Sequence, residues 1–158
     1  MANEITPETM PIDKAVEILR HDDVIASNPT LQSSLEAAIH SNVATTKSDI
    51  NLINFDTDPV GVDTFSYARE IVDKLGGTAI VRTPTNITVA SEDFPRAAIA
   101  QGELHYFGFP QDPAAGLNAL LNDLAGYAVP WTIYSVVIAA IIIGAFIALT
   151  FYWLRKAR

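Results

Sequence analysis

Across residues 129–154 no side chain carries a charge, and that run limits what the chain can fold into more than any other feature of it. A helix needs roughly 20 apolar residues, at about 1.5 Å of rise each, to cross a bilayer. The segment WTIYSVVIAAIIIGAFIALTFYWL, residues 131–154, is that long. Trp131 and Tyr134 stand at one end and Tyr152 and Trp153 at the other, where amphipathic rings settle at headgroup level. A buried core helix is the competing reading, but one of this length is rarely apolar on every face. One C-terminal transmembrane helix is therefore expected, anchored by Trp131, Tyr134, Gly144, Trp153 and Arg155. Ala140, Gly144 and Ala148 repeat at a spacing of four and would let a second helix approach closely.

Charge is segregated about this run. All 18 Asp and Glu precede it, and seven of the 10 Lys and Arg do. Seven cations against 18 acids leave the preceding part at −11. Such a surface repels phosphate, which argues against nucleic acid and favours basic proteins or divalent cations as partners. Arg155, Lys156 and Arg158 follow the run, so the positive-inside rule puts the tail in the cytoplasm and the acidic domain outside. The N-terminal MANEITPETMP lacks the basic-then-apolar pattern of a signal peptide, and a cytosolic tail-anchored arrangement is the alternative. There is no cysteine, which removes disulfides, zinc-thiolate sites and thiol catalysis.

The expected organisation is a flexible lead-in over residues 1–10, a domain over 11–128, the span over 129–154 and a basic tail over 155–158. Within the domain, Pro11 opens a helix with Ala15, Ile18 and Leu19 on one face. A second helix starts at Asn28-Pro29-Thr30, with Thr30 as its N-cap. Its stripe is Leu31, Leu35, Ala38 and Ile39, and it ends near Thr45. Ile50, Leu52 and Ile53 are too apolar for strict alternation and suggest a strand covered on both faces. Asp63 caps a third helix, whose core face is Phe65, Ala68, Ile71, Val72 and Leu75 and whose stop is Gly76-Gly77. Strands follow over residues 78–82 and 86–90. A short irregular helix over 92–101, an aromatic loop over 105–113 and a last helix over 114–124 complete the domain. The fold class is α/β, a small sheet packed with helices.

Candidate sites are few. Asp56, Asp58 and Asp63 surround Gly61, and such oxygen clusters suit calcium or magnesium. The EF-hand spacing fails at Val60, and a solvated turn with Asp63 as helix cap is the plainer reading; no cofactor is expected. Asn86-Ile87-Thr88 fits a glycosylation sequon but falls in a strand candidate. Tyr106, Phe107 and Phe109, among Gly108 and Pro110, are either a core plug or an exposed partner-binding patch. No serine has a GxSxG context, no Gly-rich turn opens a helix, and His21, His40 and His105 form no metal-binding spacing.

The run from the helix LQSSLEAAIHSNVATT through the strand DINLINF, the helix FSYAREIVDKLG and the strand pair TAIVRT and NITVA resembles a TPM domain, a small α/β module found beside membrane spans. Nearer still, the chain resembles a short actinobacterial branch with a degenerate TPM-like domain and a C-terminal anchor. That resemblance implies an extracytoplasmic, non-enzymatic activator of a RipA-type peptidoglycan endopeptidase, acting in daughter-cell separation by binding the hydrolase's inhibitory coiled coil. It departs from ordinary TPM proteins in lacking an Asn-Gly turn before the apolar strand. Some TPM relatives imply metal-dependent phosphatase activity instead, and a structural subunit of a membrane or divisome complex, using Ala140, Gly144 and Ala148, is a third possibility.

Overall fold

A computed structural model describes residues 4–127, 136 and 138–146. The chain divides into two compact units, residues 1–127 and residues 128–158.

The first unit runs α1 (Ile12–Leu19), β1 (Val24–Ile25), α2 (Pro29–His40), a 3-10 turn (Val43–Thr46), β2 (Ile50–Asn54), α3 (Thr64–Leu75), β3 (Thr78–Arg82), β4 (Ile87–Ser91), α4 (Arg96–Tyr106) and α5 (Pro113–Gly126). The sheet order is β1-β2-β3-β4. The first three strands are parallel, and β4 returns antiparallel to β3 with Thr78 opposite Ser91 and Arg82 opposite Ile87. Every residue of β2 is buried, as expected of a strand with helices on both faces. Alternation divides its side chains. Ile50 and Leu52 join Ile80, Ile87 and Val89 under α2, α4 and α5. Ile53 and Phe55 join Ala79, Val81 and Ala90 under α1 and α3.

Local chemistry explains the element ends. The α2 cap is Asn28 rather than Thr30: the Asn28 carboxamide oxygen accepts from the Thr30 and Leu31 amides at 2.9 and 3.3 Å. Pro29 occupies the first helical position and has no N–H to satisfy, so the residue before it is the cap. The helix ends at His40, and Asn42 caps a separate 3-10 turn. Asp63 caps α3 as expected, accepting from the Phe65 and Ser66 amides. Gly77 has φ +69°, and a Cβ there would lie 2.5 Å from the Asp49 carbonyl oxygen. Only glycine allows β3 to enter this close to the start of β2.

Three departures matter. The two-residue strand β1 has no alternating pattern to announce it. Residues 4–10, expected as a flexible lead-in, bury Ile5 and Met10 in the core beneath α3. The short irregular helix expected over 92–101 is regular, begins after Pro95 and continues to Tyr106. Gly102 does not break it, because its bare Cα faces Leu120 of α5.

In the second unit, residues 136 and 138–146 are helical and exposed throughout. Val136, Ile138, Ile141, Ile142, Ile143 and Phe146 each expose more than half their surface. Among the described residues no helix is long and apolar enough to cross a membrane. Most of the expected span, including Trp131, Tyr134, Ala148 and Trp153, and the tail from Arg155 on lie outside them.

Candidate functional site

In a parallel sheet, ligands gather beyond the carboxyl ends of the strands. Here those ends carry Ser27 after β1, Asn54 and Asp56 at β2, and Arg82 at β3. Asn54 and Arg82 are register partners, so their side chains leave the same face of the sheet. The Arg82 guanidinium donates to the buried Asn54 carboxamide oxygen, and its Nε donates to the Tyr106 hydroxyl at 2.6 Å. No carboxylate pairs with this half-buried cation among the described residues. Its remaining N–H donors have no protein partner there.

Tyr106 closes α4 and is only 9% exposed. Phe107 stacks edge-on against it, with ring centres 5.9 Å apart. A Cβ at Gly116 would come within 3.0 Å of the Tyr106 ring, so α5 packs directly onto the tyrosine. The aromatic cluster is thus divided. Tyr106 is core, held by Arg82 and Gly116, while Phe107 and Phe109 stand 49% and 44% exposed. Leu104, one helical turn before Phe107, is 70% exposed. Three large apolar side chains are therefore presented on a corner between two packed helices.

The expected carboxylate cluster separates into three local tasks. Asp56 accepts from the Ile5 amide and the Ser27 hydroxyl, both at 2.6 Å, and pins the N-terminal segment to the ends of β1 and β2. Asp58 accepts from the Thr85 amide and hydroxyl. Hydrogen bonds from the Thr83 and Thr85 side chains hold its carboxyl below the usual value. Asp63 caps α3, and the Ser66 hydroxyl with the Phe65 amide lowers its carboxyl likewise. Among the described residues no group of three or more Asp, Glu, His or Cys is placed to hold a metal ion.

Two histidine–carboxylate pairs went unrecognised in the sequence: His40 with Asp23 at 2.7 Å and His105 with Asp123 at 2.6 Å. Neither imidazole is hydrogen-bonded to a serine or threonine hydroxyl among the described residues, so neither forms a nucleophile–base pair. Asn86 is exposed, whereas Thr88 of the sequon shares a hydrogen bond with Thr64 of α3.

The solution NMR structure of the N-terminal domain of the cg2496 protein from Corynebacterium glutamicum is similar to this chain. The two are 17% identical with a TM-score of 0.53, over 67% of this chain and 79% of that one. At that identity the likeness shows the fold alone. No curated protein matches. The family model described as membrane protein Rv1476 matches residues 5–158, and the chain belongs to that family of membrane proteins.

Proposed function

We propose that this protein is a membrane-anchored, non-enzymatic activator of a peptidoglycan hydrolase of the RipA type, serving daughter-cell separation by binding the hydrolase's inhibitory coiled coil. The observation that carries the reading is the corner formed by Leu104, Phe107 and Phe109. Exposed aromatic and aliphatic groups on a rigid frame suit the centre of a protein interface. An opened coiled coil offers apolar seam residues to such a patch, and lysines among its flanking charges are complementary to a −11 surface.

In this reading residues 131–154 cross the bilayer once, the acidic unit lies outside the cell and Arg155 to Arg158 stay in the cytoplasm. The family's membrane assignment and the exposed apolar helix at 138–146 support a lipid-facing segment. Tethering raises the effective concentration of the domain near the septal membrane, so a weak contact suffices. Activation is a population shift: the domain binds the released form of the hydrolase more tightly than the inhibited one.

The test is binding of the detergent-solubilised full chain to the purified hydrolase. F107S/F109S should weaken binding at least about 30-fold, equivalent to about 2 kcal/mol. Stability should fall by about 1–3 kcal/mol, because each ring is half-buried and Phe107 also stacks on Tyr106, so binding is compared at a temperature where both chains are shown to be folded. A wild-type chain that neither binds nor activates the hydrolase would end the proposal. A reporter placing the N-terminus in the cytosol would do the same.

A further inference from the structure

The end of the sheet opposite the aromatic corner carries an open cleft of about 340 Å³, within the range of about 300–1,000 Å³ that holds small ligands and short peptide segments. Two features of it point to an occupant. The first is Asn51, which is 8% exposed and whose carboxamide has no hydrogen-bond partner among the described residues. A buried amide is ordinarily satisfied. No wholly enclosed side-chain polar atom lacks a partner among the described residues, so this one meets open space, and Asn51 lines the cleft.

The second feature is the edge of β2. Strand β1 pairs only Val24 with Leu52 and Ile25 with Ile53. The Leu52 amide donates towards β1, to the Asp23 carbonyl at 2.8 Å. Backbone groups of a strand alternate in direction, so the N–H and C=O of Ile50 face the same side. In this parallel register Ile50 lies level with the residues before Val24, where β1 has not yet begun and the Asp22 amide still bonds back to Ile18 of α1. Ile50 lines the cleft with Leu19 and Leu75 on one flank and Ile39 on the other. The His40–Asp23 pair closes the rim.

We infer that this cleft takes a short extended peptide segment of a partner protein, which continues the line of β1 along Ile50 and hydrogen-bonds the Asn51 carboxamide. A peptide group offers one donor and one acceptor, complementary both to an open strand edge and to a side-chain amide. Leu19, Leu75 and Ile39 give apolar walls to alternate side chains. A phosphorylated ligand fits poorly, since Arg20 and His40 share the lining with Asp23 and Asp49. The site lies at the other end of the sheet from Phe107 and Phe109 and stands or falls independently of the coiled-coil reading.

The experiment uses the isotope-labelled full chain in lipid nanodiscs. The probe is a pool of N-acetylated, C-amidated tetrapeptides of randomised sequence at millimolar concentration. A matched pool has alternate backbone nitrogens methylated. The unmodified pool should shift the Ile50 backbone amide and the Asn51 side-chain amide together and saturably. The methylated pool should bind at least about tenfold more weakly, as loss of strand-edge hydrogen bonds requires. N51L should weaken binding by a similar factor. The methylated pool probes the wild-type chain, so it decides the matter even if N51L does not fold. Absence of a saturable shift, equal binding of the two pools, or movement of the Asn51 amide without Ile50 would each overturn the assignment. The last result would mark a site for small amides.

Discussion

Replacing Gly102 by alanine sets two known effects against each other. In a helix interior alanine is favoured over glycine by about 1 kcal/mol. The added methyl, however, would sit 3.1 Å from the Leu120 carbonyl oxygen, 3.2 Å from its Cγ and 3.4 Å from its Cα. Two of those three atoms are backbone of α5 and cannot retreat unless the helix moves. Leu120 is also fully buried. Overpacking of this kind costs about 1–3 kcal/mol. The net expectation for G102A runs from break-even to a loss of about 2 kcal/mol. Gly126 is the control, because a Cβ there meets nothing within 4 Å. G126A should gain a few tenths of a kcal/mol, roughly half the interior value at a helix end. The comparison is made by thermal unfolding of the full chain in detergent, followed by near-ultraviolet circular dichroism. For a unit of this size 1 kcal/mol corresponds to about 4 °C, so G102A should melt between about 1 and 10 °C below G126A. A G102A chain as stable as G126A, or more so, would refute the close packing of α4 on α5. With it would go the rigid support assigned to Phe107 and Phe109.

Phe55 is fully buried and meets Tyr67 edge-on at 5.3 Å; F55A should cost about 3–5 kcal/mol and F55L clearly less, measured by urea unfolding. Asn28 to alanine should cost about 1 kcal/mol as a lost cap, and aspartate there should restore most of it. Acid should destabilise the protein only below the ordinary carboxylate value of 3.8, because hydrogen bonds, from Lys74 to Asp13, from Thr83 and Thr85 to Asp58 and from Ser66 to Asp63, lower all three in the folded state. Their contribution is complete above the unfolded value and lost as pH falls through the folded ones. On the alkaline side Lys74, raised by its Asp13 partner from 10.5, and Tyr67, raised by burial from 10.0, contribute stability that is full below those values and lost as pH climbs through the folded ones. Between those two ranges these five groups add no slope to the melting temperature, and an alkaline loss unchanged in Y67F and K74M would contradict the assignment.

Much of the fold was legible because its signals are local. Asp63 followed by an apolar 3.6-residue period announces α3, and two glycines end it. The apolar run at Ile50, Leu52 and Ile53 announces a strand covered on both faces. The misread elements are those where neighbours in space outweigh neighbours in sequence. Pro95 suggests a short irregular segment over 92–101, yet α4 begins just after it and runs regularly to Tyr106, with α5 packed on the bare Gly102. Strand β1 is two residues long and exists because Leu52 and Ile53 offer it an edge. Asp56 looks like one of a ligand trio, but its oxygens are taken by Ile5, 51 residues away, and by Ser27, 29 away.

Sequence alone determined the segregation of charge, the uncharged run at 129–154, the Asp63 cap of α3 and the two-sided strand, because each depends on the chemistry of a few adjacent residues. It also singled out Tyr106, Phe107 and Phe109 as a group. Only tertiary structure decided which of them face solvent, that Arg82 lacks a carboxylate partner among the described residues, and that Asn51 opens into a cleft. Those outcomes depend on contacts such as Arg82 to Tyr106, separated by 24 residues, and Asn42 to Asn122, separated by 80. Burial and pairing are settled where distant segments meet, and no local window of sequence contains both partners.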